Sequence, residues 1–233
     1  MVAWRVRFLS AGLALMLGLP LSAAAQGAGA PAAVAEDGQV LRQDMNDPAL
    51  YLQLIEGLQQ RRMHYAALAH LDAFDQKWPD NRQAQLLRAD ALRQTGSLDE
   101  AAVIYERLTG KNPMPRALHG LGLIAVSKGQ HEAGERLLIQ ANRLAPIDTR
   151  ILNDLGYVQM QAGRYGPART NLAKAFELDA GNAQAGANLA MLYLLLGEAG
   201  LAEKMMERLG MTDAQRAQLR EESAGLSGRR AVQ

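Results

Sequence analysis

The chain has 233 residues, room for one or two ordinary domains or one repeat array, and at 48% hydrophobic and 21% charged it has the balance of a folded soluble protein rather than a disordered one. Only 5% of residues are aromatic, which speaks against a β-sandwich and for helices packed through Ala and Leu. A formal net charge of +1 lacks the basic bias of a nucleic-acid binder, and the absence of cysteine excludes disulfides, Cys-ligated zinc, iron–sulfur clusters, thiol catalysis and the lipid anchor of a bacterial lipoprotein.

Residues 1–25 follow the pattern of a secretory signal peptide. Arg5 and Arg7 form a short basic start, and Phe8 to Leu21 is an apolar run interrupted by Pro20. Ser22-Ala-Ala-Ala25 then supplies small residues, with Ala23-x-Ala25 fitting cleavage before Gln26. The run is shorter than the ~20 residues of a spanning helix, so an exported, periplasmic chain is expected. Arg5 and Arg7 are the only charges in that segment, so its removal takes the 25 Lys+Arg to 23 against 24 Asp+Glu. Residues 26–47, opening on Gly27-Ala-Gly-Ala-Pro31, sustain no hydrophobic period and read as a flexible linker.

From about Asp47 the chain repeats itself. Ala67, Ala101, Gly134, Ala168 and Ala202 recur every 33 or 34 residues, as do Gly96, Gly129, Gly163 and Gly197, and as do Pro79, Pro113 and Pro146. Three residue classes keep one period and one phase, the mark of a repeat array. Each class has a physical reason. Small residues let two crossing helices approach. The turn glycine takes a positive φ that ends the first helix. The proline cannot continue the second helix and turns the chain into the next unit.

Leu155-Gly156 with Gly163, Ala168, Leu172 and Ala175 is the clearest copy. Others are Leu121-Gly122 with Gly129, Leu138, Ala141 and Pro146, and Leu189-Ala190 with Tyr193, Gly197 and Ala202. This pattern resembles the tetratricopeptide-repeat (TPR) family. The resemblance implies an all-α, right-handed superhelical solenoid of about five helix-turn-helix repeats, placed at 48–81, 82–114, 115–148, 149–182 and 183–210. The first unit departs most, with Arg62 at the turn-glycine position, and Ala180 replaces the closing Pro in the fourth. A C-terminal capping helix is expected over 211–226, where Thr212-Asp-Ala-Gln215 forms a capping box and Arg216, Arg220, Glu221 and Glu222 give a polar outer face. The tail 227–233 is expected to be disordered.

Residues that could carry chemistry do not assemble. His64, His70, His119 and His131 form no metal-ligand pair with an acidic partner at helical spacing. Gly120-x-Gly122 lacks the preceding strand and third Gly of a dinucleotide loop, and Gly110-Lys111 lacks the remainder of a phosphate loop. Asp99-Glu100 and Glu221-Glu222 read as solvated helix ends. No enzyme activity, cofactor, metal, nucleic acid or small-molecule substrate is therefore expected.

In the TPR family the first helix of each unit lines a concave groove that grips extended peptides. The repeat phase puts Arg116 and Arg150 in one row there, and His119, Asn153 and Ala187 in the next. Asp154 and Asn188 form a third row, and Leu123, Tyr157 and Met191 a fourth, with Asp90 and Arg93 continuing the lining into the second unit. The resemblance implies that basic and Asn side chains on this face hold a partner's carboxylate or backbone. The full Lys/Asn carboxylate clamp of chaperone-binding members is absent.

Asn153-Asp-Leu-Gly-Tyr157, then Gly163-Arg-Tyr165, Ala168-Arg169 and Ala175, then Asn188-Leu-Ala-Met-Leu-Tyr193 and Gly197, resemble the TadD-like TPR component of the bacterial tight-adherence (Tad, Flp) pilus system. That resemblance implies a periplasmic scaffold whose partners are proteins or peptides of pilus or secretin assembly, with membrane contact only through those partners. Such components are commonly lipoproteins, and this chain departs from them in having no cysteine. A periplasmic adaptor for envelope or polysaccharide-export assembly, and an accessory subunit of an envelope enzyme, are the alternatives.

Overall fold

The structure, a computed structural model, describes residues 47–230, with side chains to residue 228. The expected signal peptide, the linker up to residue 46 and residues 231–233 lie outside the described residues.

The chain divides after Leu54. Of the first unit, the described part is the opening of helix α1 (Pro48–Gln60), where the Asp47 carboxylate accepts the Ala49 N–H at 2.8 Å. The second unit, from Ile55, holds the rest of α1 and all that follows. Its helices are α2 (His64–Lys77), α3 (Arg82–Thr95), α4 (Leu98–Leu108), α5 (Pro115–Ser127), α6 (His131–Leu144), α7 (Thr149–Gln161), α8 (Tyr165–Leu178), α9 (Ala183–Leu195), α10 (Ala199–Arg208) and α11 (Asp213–Arg230). No strand occurs among the described residues. The expected all-α repeat architecture is the one observed.

The repeat phase is visible in how the helices start and stop. Asn81, Asp148 and Asn182 stand before α3, α7 and α9, and each side chain accepts backbone N–H groups of the first turn. Such caps satisfy donors that have no partner inside the helix. α5 begins on Pro115 instead, whose fixed φ suits the first helical position. The turns inside the units carry positive φ at Gly96, Gly129, Gly163 and Gly197. Arg62 takes the same conformation at φ 61°, so the first unit keeps the turn without its glycine. The expected terminators Pro79, Pro113 and Pro146 all lie beyond the helix ends. α4 stops at Leu108 and is 11 residues long, against 14 for α2, α6 and α8.

The Asp148 cap has a measurable charge dependence. Burial by itself would raise its pKa, but the Arg150 guanidinium at 3.5 Å and the N–H groups of Ile151 and Arg150 outweigh that and hold it below the usual carboxylate range. A depressed folded pKa stabilises above the unfolded value, near 4, and that stability is lost as pH falls through the folded value. Asp148→Ala is expected to cost about 1 kcal/mol at neutral pH. In urea denaturation the gap from the parent protein should shrink as pH falls below about 4. A gap that persists at lower pH would contradict the ionised cap.

Packing follows the small residues. A Cβ at Gly122 would fall 2.9 Å from Leu138 Cγ, and one at Gly156 would fall 2.7 Å from Leu172 Cγ. The same helix crossing thus recurs 34 residues on. Ala67, Ala101, Ala168 and Ala202 are all fully buried. Leu86, Tyr105, Leu108 and Ile124 form one apolar cluster, and Leu152, Leu172, Phe176, Leu189, Leu192 and Met206 anchor a larger one.

The capping helix is present, but its details differ from expectation. Thr212 and Gln215 make the reciprocal box, with Thr212 N–H donating to Gln215 Oε1 at 2.8 Å and Gln215 N–H to Thr212 Oγ1 at 3.4 Å. The helix runs on past Leu226 to Arg230. Arg216 and Arg220 do not simply face outward: both reach Glu203 of α10, a paired carboxylate that attracts them, while Leu219 is buried beneath.

Candidate functional site

The first helices α3, α5, α7 and α9 present polar side chains on one face, and hydrogen bonds join them into two groups. The first is centred on Asp90 of α3. Its carboxylate accepts the Tyr105 hydroxyl at 2.5 Å and the Arg116 guanidinium at 2.7 Å. Arg116 also lies 3.6 Å from Glu56 of α1, which in turn accepts Gln83 Nε2 at 2.9 Å. Arg93 Nε donates to the Tyr105 hydroxyl at 3.4 Å. Burial pushes the Tyr105 phenol far above its ordinary range, and Asp90 adds to this, so the group stays a donor. Burial alone would lower Arg93, but Tyr105 and Asp90 outweigh it and hold it charged. His64 at the start of α2 is pulled the other way, by burial first and then by Arg62 and Arg93.

The second group runs across three repeats. His119 Nε2 of α5 meets Asp154 Oδ2 of α7 at 2.7 Å. Asn153 Nδ2 donates to Asp154 Oδ1 at 3.1 Å, and Asn188 Nδ2 of α9 donates to Asn153 Oδ1 at 2.8 Å. Asn153 and Asn188 are 4% and 8% exposed, so this is an interior polar ladder and its amides are already engaged.

The residues expected in the groove therefore take different places. Asp90, Arg93 and Arg116 meet in one cluster, and His119, Asn153, Asp154 and Asn188 in the other. Leu123 and Tyr157 are half-buried, and Gln161 Nε2 donates to the Tyr157 hydroxyl at 3.1 Å. Met191 is 5% exposed and belongs to the core of the last repeats. Arg116 and Arg150 share a phase but not an environment. Arg116 is neutralised by Asp90, whereas the side chain of Arg150 is 61% exposed and its ion pair is with Asp148 of its own helix start.

Tyr105 and Glu56 are members that the sequence did not single out. Glu56 lies 34 residues before Asp90, so the repeat phase contains that signal. Tyr105 occupies the aromatic position of the second helix, four residues after Ala101, which foretells its packing but not its hydroxyl's bond to Asp90. Among the described residues no three His, Asp or Glu side chains gather as a metal site, and no helix is long and apolar enough to cross a membrane. The arrangement offers hydrogen bonds, fixed charges and half-buried apolar surface along one face, the means for holding a chain segment.

The sequence profile of the tetratricopeptide repeat matches residues 160–221. A TPR repeat-containing protein of Pseudomonas aeruginosa is 31% identical over 214 residues, spanning 90% of this chain and 85% of that protein. The fold is similar to that of a thermophilic TPR protein of Thermus thermophilus (TM-score 0.62, 20% identity, 77% of this chain and 98% of that one). It is also similar to that of pilF of Pseudomonas aeruginosa (TM-score 0.61, 19% identity, 81% of this chain and 88% of that one).

Proposed function

The chain belongs to the tetratricopeptide-repeat family, and from that premise we propose that it is an exported bacterial scaffold whose first-helix face holds an extended segment of a protein partner. The observation that carries this is the polar ladder from α5 to α9. It fixes the groove floor before any ligand arrives, so binding costs little ordering of the protein. Within the ladder both Asp154 oxygens, the Asn153 amide and the Asn188 Nδ2 are already engaged. Contact with a ligand falls to the half-buried Leu123 and Tyr157 and to the exposed Arg150.

The setting we propose is the periplasm, in assembly of the tight-adherence pilus or its secretion machinery. The leader-like residues 1–25 and the Asn153–Tyr157 and Asn188–Tyr193 motifs support it. Partners are then protein segments of that machinery, and no catalytic step is assigned to the chain.

The test is co-purification from periplasmic extract, followed by calorimetric titration of each recovered partner. Leu123→Ser combined with Arg150→Ala is expected to weaken binding about tenfold or more, equivalent to about 1.4 kcal/mol, with helicity unchanged by circular dichroism. Unchanged affinity would remove the groove from the binding role. Recovery of partners unrelated to pilus or secretin assembly would remove the assembly role.

A further inference from the structure

A second surface lies away from that face, where α4 ends early. α4 stops at Leu108, and residues 109–114 cross to α5 as a loop. Arg82 Nη2 ties the loop down by donating to Leu108 O at 3.3 Å and Asn112 O at 2.6 Å, a cation held at a helix C-terminus. Beside the loop is a mostly apolar pocket of about 310 Å³, lined by Thr109, Pro113, Leu118, Gln140, Arg143 and Leu144. Leu144 is 50% exposed there, and Ile147, three residues on, is 74% exposed. None of the lining residues belongs to the rows on the first-helix face.

Around this pocket three basic side chains stand beside the exposed carboxylate of Glu106, in the last turn of α4. Arg143 lines the pocket, Lys111 lies in its loop, and Arg107 is in the last turn of α4. All three are exposed, and none makes an ion pair among the described residues. Three other cations are paired across repeats, Lys128 with Asp99, Arg164 with Glu135 and Arg169 with Glu198, whereas Arg143, Lys111 and Arg107 are left open to an outside carboxylate. The volume is at the small end of the roughly 300–1,000 Å³ that hold small molecules, which suits insertion of an apolar side chain. A membrane headgroup would use the cations and leave the apolar pocket empty.

We propose that this pocket is a docking site for an acidic protein segment that inserts a large apolar side chain between α4, α5 and α6 and sets its carboxylates against Lys111, Arg143 and Arg107. It is a second contact surface, independent of the first-helix groove.

The probe is a fluorescein-labelled hexapeptide, EELFEE, titrated against the full chain by fluorescence anisotropy at low salt. Binding is expected, with a loss of about tenfold or more on Lys111→Glu with Arg143→Glu. A similar loss is expected when the peptide core is changed to EESSEE, and KKLFKK should not bind. Leu123→Ser with Arg150→Ala should leave the affinity unchanged, which separates this surface from the groove. The charged positions are exposed, and circular dichroism would verify that the variants fold. The proposal is overturned if EELFEE fails to bind at about millimolar concentration. It is equally overturned if the charge reversal or the serine core leaves affinity intact, or if phosphatidylglycerol vesicles bind while the peptide does not.

Discussion

Tyr105→Ala is expected to destabilise the protein by about 3–5 kcal/mol in urea or thermal denaturation, the range for removing a buried aromatic side chain. Tyr105 is fully buried in the cluster of Leu86, Leu108 and Ile124. Its ring lies where α5 has no side chain, since a Cβ on Gly120 would stand 2.3 Å from Tyr105 Cζ. The ring and the glycine are thus one fitted pair between α4 and α5, and truncation opens a cavity on the glycine. Tyr105→Phe keeps the ring and loses the hydroxyl's short hydrogen bond to the Asp90 carboxylate together with the longer one it accepts from Arg93. It should cost about 2 kcal/mol, the scale of a bond to a charged group. The ordering of the two variants is the test: equal losses would mean that the ring's packing contributes little and the hydroxyl nearly everything.

The second large effect is at the crossing of α5 and α6. A Cβ on Gly134 would lie 2.5 Å from Val126 Cγ2 and 2.8 Å from the Gly122 carbonyl oxygen. The oxygen is backbone and cannot rotate away, so a larger side chain must push the helices apart. Gly134→Leu is expected to cost about 3 kcal/mol, the upper end of overpacking. Gly57→Ala in α1 is the internal control, because its Cβ would meet nothing within 4 Å. There the helical preference of Ala over Gly should stabilise by up to about 1 kcal/mol. Opposite signs from two glycines in helices would show that packing, not backbone preference, decides the outcome. A melting temperature unmoved by Gly134→Leu would mean that the crossing is misassigned.

Those two sites show what the primary structure makes legible. The 33- and 34-residue spacings fall where small residues meet across helices and where positive φ ends a helix, because both demands are steric and act at the same place in every unit. Arg62 shows that the turn persists where the glycine does not. The phase is a weaker guide to side chains on the first-helix face. Arg116 and Arg150 are equivalent by position, yet they diverge because of what the preceding helix offers. Six residues before Gly96 stands Asp90, which captures Arg116, and six residues before Gly129 stands Leu123, which gives Arg150 no charge to meet. Phase locates a residue on a face, but the neighbour's chemistry decides whether it is free. For the same reason Met191, in a row with Leu123 and Tyr157, is drawn into the core beside Leu189 and Met206. The 11-residue α4 and the pocket beside its end carry no mark in the 33- and 34-residue spacings, because they depend on where one helix stops rather than on a residue that recurs.

The ladder of His119, Asp154, Asn153 and Asn188 also acts as a gauge. Apolar contacts between stacked helices carry no direction and tolerate sliding, whereas hydrogen bonds weaken steeply once their angle is lost. Bonds that cross from α5 to α7 and from α7 to α9 therefore lock the pitch of this stretch. Packed helices stand about 8–10 Å apart, and an extended chain advances about 3.3 Å per residue. A ligand strand laid across these helices would thus meet a new one about every third residue, at intervals set in advance by the protein's own amides and carboxylate.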